Sequence, residues 1–210
     1  MRHLLYLFLR WCPGALGILL RQKLYRHLLK AYGRNVLIGR YVDLKNPQGI
    51  IIGDDVVLNE YACLDAGRLG SHSEAAIVLG KGVFIGAGTT LLAGSGRLII
   101  EEGNNIGSGC SIVADGDTVL EHHALLAGFC TVGATAPATE VDAPDSPAKT
   151  PTAGRTRLGS GCWLGLRSRV ASGIEIGEGT IVGAHSTVTE SLPDYVIAFG
   201  QPARVWQMRP

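Results

Sequence analysis

Between Leu158 and Val188 the chain divides into five consecutive hexads, LGSGCW, LGLRSR, VASGIE, IGEGTI and VGAHST. Each opens on an aliphatic residue (Leu158, Leu164, Val170, Ile176, Val182, then Val188), usually follows it with Gly or Ala, and places a small or modest residue at its fifth position. A period of six fits neither the 3.6 residues of a helical turn nor simple strand alternation, which has no need of glycines at fixed places. It suits a chain that makes a short flat strand, turns a corner and repeats. The aliphatic residue then points to a common axis and the small one fills the space beside it.

Earlier hexads run through IGRYVD (38–43), IGDDVV and LNEYAC (52–63), LGKGVF and IGAGTT (79–90), IEEGNN and IGSGCS (100–111), and LEHHAL and LAGFCT (120–131). The phase slips at 45–50, 65–78 and 92–99, as short loops at corners would cause, because repeat proteins place insertions on particular faces. The 29 glycines, about twice the usual share of roughly 7%, agree with a chain full of corners. One segment, 133–157, has Pro137, Pro144, Pro147 and Pro151 among small polar residues and almost no large apolar group. It is expected to leave the column as a long loop.

These hexads, together with GCWLG (161–165) and the ending VGAHSTVTESLPDYVIAFGQPARVW, resemble the hexapeptide-repeat acyltransferases, and most closely the sugar and polysaccharide O-acetyltransferases. The resemblance covers about residues 38–206. It implies an all-β chain, a left-handed parallel β-helix of three hexads per turn and about seven turns, carrying an N-terminal α-helical extension. Residues 1–34 would form the extension and 35–206 the acyltransferase domain. The implied activity is transfer of an acetyl group from acetyl-CoA to a sugar hydroxyl of a polysaccharide, lipopolysaccharide or glycan precursor, without a metal. The implied assembly is a homotrimer with each active site between two columns, the long loop reaching toward the neighbour. By the same resemblance Trp163, Gly165, Gly183, Ser186, Pro202 and Arg204 contact coenzyme A, and His185 is a turn residue close to it.

Acyl transfer to an alcohol needs a base that removes the hydroxyl proton during attack, a task suited to histidine. Family members carry that histidine in a pattern like T-x-H-P at the entrance to the long loop, where this chain reads Ala136-Pro137. The candidates are then His122 and His123 in LEHHAL, His122 ahead, with Glu121 placed to orient an imidazole. A similar Glu-His at this phase occurs in nucleotide-sugar N-acetyltransferases of the same fold. A solvated corner is the plainer reading of EHH. His72, in GRLGSHSEAA, ranks last. A catalytically silent relative kept for binding or assembly is the alternative function. A metal-dependent hydratase would need three converging His, which this spacing does not provide.

Residues 1–42 hold eight Lys or Arg and no acid, whereas 43–210 hold eleven bases against eighteen acids, so a net charge of +1 hides a basic head on an acidic body. No general field draws nucleic acid. Residues 1–32 read as two helical pieces broken at Pro13-Gly14, too short in their uncharged runs to span a bilayer and lacking a signal-peptide cleavage pattern. They are expected either to cap the column with their leucines or to lie on the inner face of the membrane, with Arg2, Arg10, Arg21, Lys23, Arg26 and Lys30 toward anionic lipid. The five cysteines have no metal-binding spacing, and Cys110, Cys130 and Cys162 occupy the small fifth position. They are read as reduced packing residues of a cytoplasmic protein.

Overall fold

The structure, a computed structural model, describes residues 8–67, 75–134 and 154–209. Its strands, mostly two to four residues long, form three parallel sheets that share one axis. Sheet A runs from Ala31–Tyr32 through Ile50–Ile52, Ile77–Leu79, Leu98–Ile100, Thr118–Leu120 and Thr156–Leu158 to Glu175–Ile176. Sheet B starts at Leu37–Ile38 and sheet C at Asp43–Lys45, and each strand before Ile181–Val182 that continues its sheet pairs in parallel with the strand three later in the chain. The result is a left-handed parallel β-helix of seven triangular coils.

The hexads explain the triangle. The opening aliphatic of each hexad turns inward, so Leu158, Leu164 and Val170 from three successive strands meet at the axis, fully buried. Stacked on coils above and below, these side chains make one continuous hydrophobic core enclosed by the three sheets. Cys110, Cys130 and Cys162 are buried beside them as small apolar filler. Burial pushes the Cys162 thiol up to about 12, so it stays neutral and unreactive at pH 7. The second-position glycines answer a spacing demand: a Cβ on Gly165 would fall 2.5 Å from the backbone nitrogen of Ala184 in the next coil.

All of the phase slips fall at one corner, between sheets C and A. The long insertion leaves at this corner too, but it is narrower than 133–157. Gly133 and Ala134 still belong to the strand Thr131–Ala134, and Thr156–Leu158 is already a strand of sheet A. Residues 135–153 and His72 lie outside the described residues. The column also begins before residue 35, since Ala31 and Tyr32 pair with Ile51 and Ile52. At the far end Val196–Gly200 continues sheet B and folds back antiparallel onto Ala203–Met208.

The chain is helical at residues 8–11, breaks at Pro13, and resumes as the helix Gly14–Tyr25, shorter than the apolar pattern to Tyr32 suggested. This helix packs against Leu37–Ile38, and its Tyr25 and partly buried Leu20 and Leu24, with Leu28 and Leu29 of the turn that follows, cover the open end of the column. Its amphipathicity is inverted at Arg21. Arg21 is buried and donates to the carbonyls of Ile38, Leu9 and Cys12 at 2.7–2.9 Å. Burial lowers its pKa. Arg10 pairs with Asp43 at 3.6 Å. The expectation that Arg10 and Arg21 face lipid is therefore overturned: both bind the chain itself, because the first coil offers carbonyls and a carboxylate within their reach. Leu16 and Leu19 instead face solvent.

Candidate active site

The corner between sheets A and B in the fifth coil is Glu121-His122-His123-Ala124. A four-residue corner after a strand turns its middle residues outward, and His122 is 57% exposed. Its Nε2 lies 3.1 Å from Oε2 of Glu101, which opens the same corner one coil below. His123 occupies the left-handed region (φ 59°) and lays its ring over Gly103, where a Cβ would come 2.2 Å from Nδ1. That contact requires glycine at 103.

Glu121 does not orient either imidazole. Its carboxylate accepts from Arg157 Nε at 2.6 Å and Arg157 Nη2 at 2.9 Å, and from the amide and hydroxyl of Ser160 at 3.2 and 3.3 Å. The Arg157 guanidinium holds its pKa below the ordinary carboxylate value. Both carboxylates reach to the coil above their own: Glu121 to Arg157 and Ser160, and Glu101 to His122. The carboxylate that meets His122 is Glu101, which sequence reasoning passed over. Counting three hexads per coil brings 101 and 121 to the same corner and could have found it.

A second feature lies at the other edge of sheet B. Phe129, Thr131, Arg167, Arg169, His185, Thr187 and Gln201 line a cleft of about 420 Å³ at the corner between sheets B and C, in coils five to seven. Arg167 sits over the Phe129 ring, 5.7 Å from its centroid, and Gln201 donates its side-chain amide to the His185 carbonyl. Two guanidinium groups in one cleft suit an anion such as a phosphate. Within the chain this cleft and His122 stand at opposite edges of sheet B.

The residues assigned by resemblance to the acyl donor separate into three sets. Gly165 and Gly183 open the corners that carry Arg167 and His185, and Pro202 turns the C-terminal hairpin beside Gln201. Trp163 stands outward on sheet B between Leu125 and Ile181. Arg204 is exposed and paired with Glu190 at 3.2 Å. Ser186, by contrast, is buried, and its hydroxyl accepts from the Gly200 amide at 3.0 Å, so it braces the hairpin and is closed to a ligand. Among the described residues no three His, Cys, Asp or Glu side chains converge as metal ligands.

Residues 155–190 match the family model described as bacterial transferase hexapeptide (six repeats). Over 52 residues, 25% of this chain, the sequence is 48% identical to a putative colanic acid biosynthesis acetyltransferase, WcaF, of Escherichia coli K12, covering 29% of that protein. It is 46% identical over 52 residues, again 25% of this chain, to a dTDP-3-amino-3,6-dideoxy-alpha-D-galactopyranose 3-N-acetyltransferase of Aneurinibacillus thermoaerophilus, covering 27% of it. The matched stretch thus spans little more than a quarter of these relatives. The crystal structure of AntD, an N-acyltransferase from Bacillus cereus in complex with dTDP and 3-hydroxybutyryl-CoA, superposes with a TM-score of 0.55 at 25% identity, over 90% of this chain and 88% of that one. Residues 155–190 thus match the bacterial transferase hexapeptide, within a column that has the left-handed parallel β-helix fold.

Proposed function

We propose that the protein is an acetyltransferase that moves an acetyl group from acetyl-CoA to a hydroxyl of a sugar in a polysaccharide, lipopolysaccharide or glycan precursor. The observation that carries this reading is the 3.1 Å pair of His122 and Glu101 on an exposed corner of a hexapeptide-repeat column. Nε2–H of His122 donates a hydrogen bond to the Glu101 carboxylate, which fixes the tautomer that leaves Nδ1 as the basic nitrogen. The acceptor oxygen attacks the thioester carbonyl carbon while its proton passes to Nδ1. The tetrahedral intermediate then collapses, the C–S bond breaks, and the imidazolium returns the proton to the departing sulfur. Arg167 and Arg169 supply charge for the donor's phosphates; Gly165, Gly183 and Pro202 shape the surface around them, with Trp163 and Arg204 at its margins.

His122 and the arginine cleft come together in a homotrimer. Leu37, Val57, Phe84, Asn105, Leu125, Trp163 and Ile181 stand in register along the outer face of sheet B, a nearly unbroken apolar stripe, with Phe84, Leu125 and Trp163 exposed. A stripe of this kind marks an interface. Three columns with this face toward a common parallel axis set the A–B corner of each against the B–C corner of the next, at the same height. His122 of one copy then faces the Arg167 and Arg169 cleft of its neighbour.

The N-terminal end fits peripheral attachment to an anionic membrane from the cytoplasmic side. Phe8, Trp11, Leu16, Ile18 and Leu19 are exposed there, followed by exposed Lys23 and Arg26. Among the described residues no helix is long and apolar enough to cross a bilayer.

A binding or assembly role without catalysis is the second reading, favoured by Ala136-Pro137 where the family pattern carries histidine. Coenzyme A release measured with acetyl-CoA and a panel of sugars and glycans decides between them. Turnover supports the enzyme; binding of acetyl-CoA without turnover on any acceptor supports the silent form.

A further inference from the structure

Along the corner between sheets B and C one residue per coil adopts the left-handed region, in order Tyr41, Tyr61, Gly88, Gly109, Phe129, Arg167 and His185, with φ between 56° and 67°. The rings of Tyr61 and Phe129 lie toward the coil before their own. Tyr61 stacks on Tyr41 with centroids 5.1 Å apart and planes 14° apart. Phe129 lies over Gly109, where a Cβ would come 2.6 Å from the ring. Gly88 and Gly109 have no side chain to continue the ladder, and nothing lies within 4 Å of a Cβ built on Gly88. The ladder is therefore interrupted between two exposed rings, Tyr61 at 59% and Phe129 at 57%.

Three coils separate Tyr61 from Phe129, about 14 Å at roughly 4.8 Å per strand. The slot between them is floored by Gly88, the Phe129 ring covering Gly109, and railed on one side by Thr90, Ser111 and Thr131, which stand in register and partly exposed on sheet C. Below it, Arg40 and Glu60 neutralise each other at 2.9 Å. An aromatic face at each end and a row of hydroxyls match the chemistry of pyranose rings, whose C–H faces lie on π surfaces while their hydroxyls reach sideways, and in the proposed trimer the A–B corner of the neighbour closes the facing side. At its upper end the slot opens into the arginine cleft at Phe129 and Thr131.

We propose that this slot is a glycan subsite, holding the sugar units next to the one that is acetylated. It rests on the reading of a glycan acceptor and adds to it that the acceptor is an oligomeric chain lying along the B–C edge toward the N-terminal coils.

The test is ligand-observed saturation-transfer NMR with neutral linear tetrasaccharides (glucan, mannan and galactan) and their monosaccharides, on the full chain and on Tyr61→Gly and Tyr61→Trp. Glycine relaxes the left-handed backbone at 61, so removal of the ring leaves the column folded; an unchanged thermal midpoint verifies this. At least one tetrasaccharide is expected to bind about tenfold more tightly than its monosaccharide, Tyr61→Gly to erase that gain and Tyr61→Trp to retain it. Equal affinity for tetrasaccharides and monosaccharides, no binding of any tetrasaccharide, or a gain untouched by Tyr61→Gly overturns the subsite. So does thymidine 5′-monophosphate occupying the slot in a Tyr61-dependent way, since the rings would then hold a nucleotide base. Glycan binding that depends on Tyr61 in a protein that transfers no acetyl group sinks the enzyme reading and keeps the subsite.

Discussion

His122 and Glu101 face each other across one rung of the column, Nε2 to Oε2 at 3.1 Å, while Glu121, the neighbour of His122 along the chain, is held by Arg157. The two carboxylates occupy equivalent corner positions of successive coils and do different work. One can orient a base, and the other ties the strand Thr156–Leu158 to the coil beneath it.

Replacing His122 by Ala is expected to lower kcat by about 10²–10⁴, the usual worth of a positioned general base. Glu101→Gln keeps the shape but not the charge, and is expected to lower kcat less while leaving KM for acetyl-CoA unchanged. Glu121→Gln should leave turnover near wild type. Steady-state coenzyme A release on the three variants checks this order; an unaltered rate for His122→Ala removes the assignment.

Arg167→Ala and Arg169→Ala each remove one guanidinium from the cleft. KM for acetyl-CoA is expected to rise, by about tenfold if one charge-assisted hydrogen bond of roughly 1.5 kcal/mol is lost, with kcat held. A selective fall in kcat would place these residues at the reacting atoms instead.

A carboxylate whose pKa is depressed by folding stabilises the native state fully above its unfolded pKa, and that contribution disappears as pH falls through the lowered folded value. Glu121 is such a group. The wild type is expected to lose thermal stability below about pH 4.3, the ordinary Glu value, more steeply than Glu121→Gln. The effect is limited to about 1 kcal/mol because the pair is partly open to solvent. Thermal midpoints from pH 3 to 7 provide the measurement; parallel curves would deny the pair any role.

Trp163→Glu, alone or with Phe84→Glu, places charge on the apolar stripe of sheet B, away from the core. Light scattering is expected to show trimeric wild type and monomeric variant, with acetyl transfer lost in the monomer because His122 and the cleft then belong to separate molecules. A wild type that is already monomeric, or a monomer with full activity, refutes the shared site.

Liposomes with anionic lipid are expected to bind the wild type more weakly as salt rises, and Trp11→Glu with Leu19→Glu to abolish sedimentation with them. Binding to neutral liposomes of equal strength would remove the electrostatic part. Arg21→Met serves as a contrast. It strands three carbonyls and should destabilise the N-terminal helix by about 2–4 kcal/mol, read as faster proteolysis there.

The six-residue spacing by itself determined the column, its axis-facing aliphatics and the buried cysteines, because a repeat that short leaves only one way to bury Leu158, Leu164 and Val170 together. It also determined that insertions sit at corners. Which side chains meet between coils was decided by the stacked structure, since each coil has its own corner length and the partners lie about twenty residues apart along the chain. Thus Glu101 displaced Glu121 beside His122, Ser186 turned inward to the hairpin, and the basic head proved to spend Arg10 and Arg21 on holding itself to the first coil. Local sequence tells which face a residue takes; only the register between coils tells what it meets there.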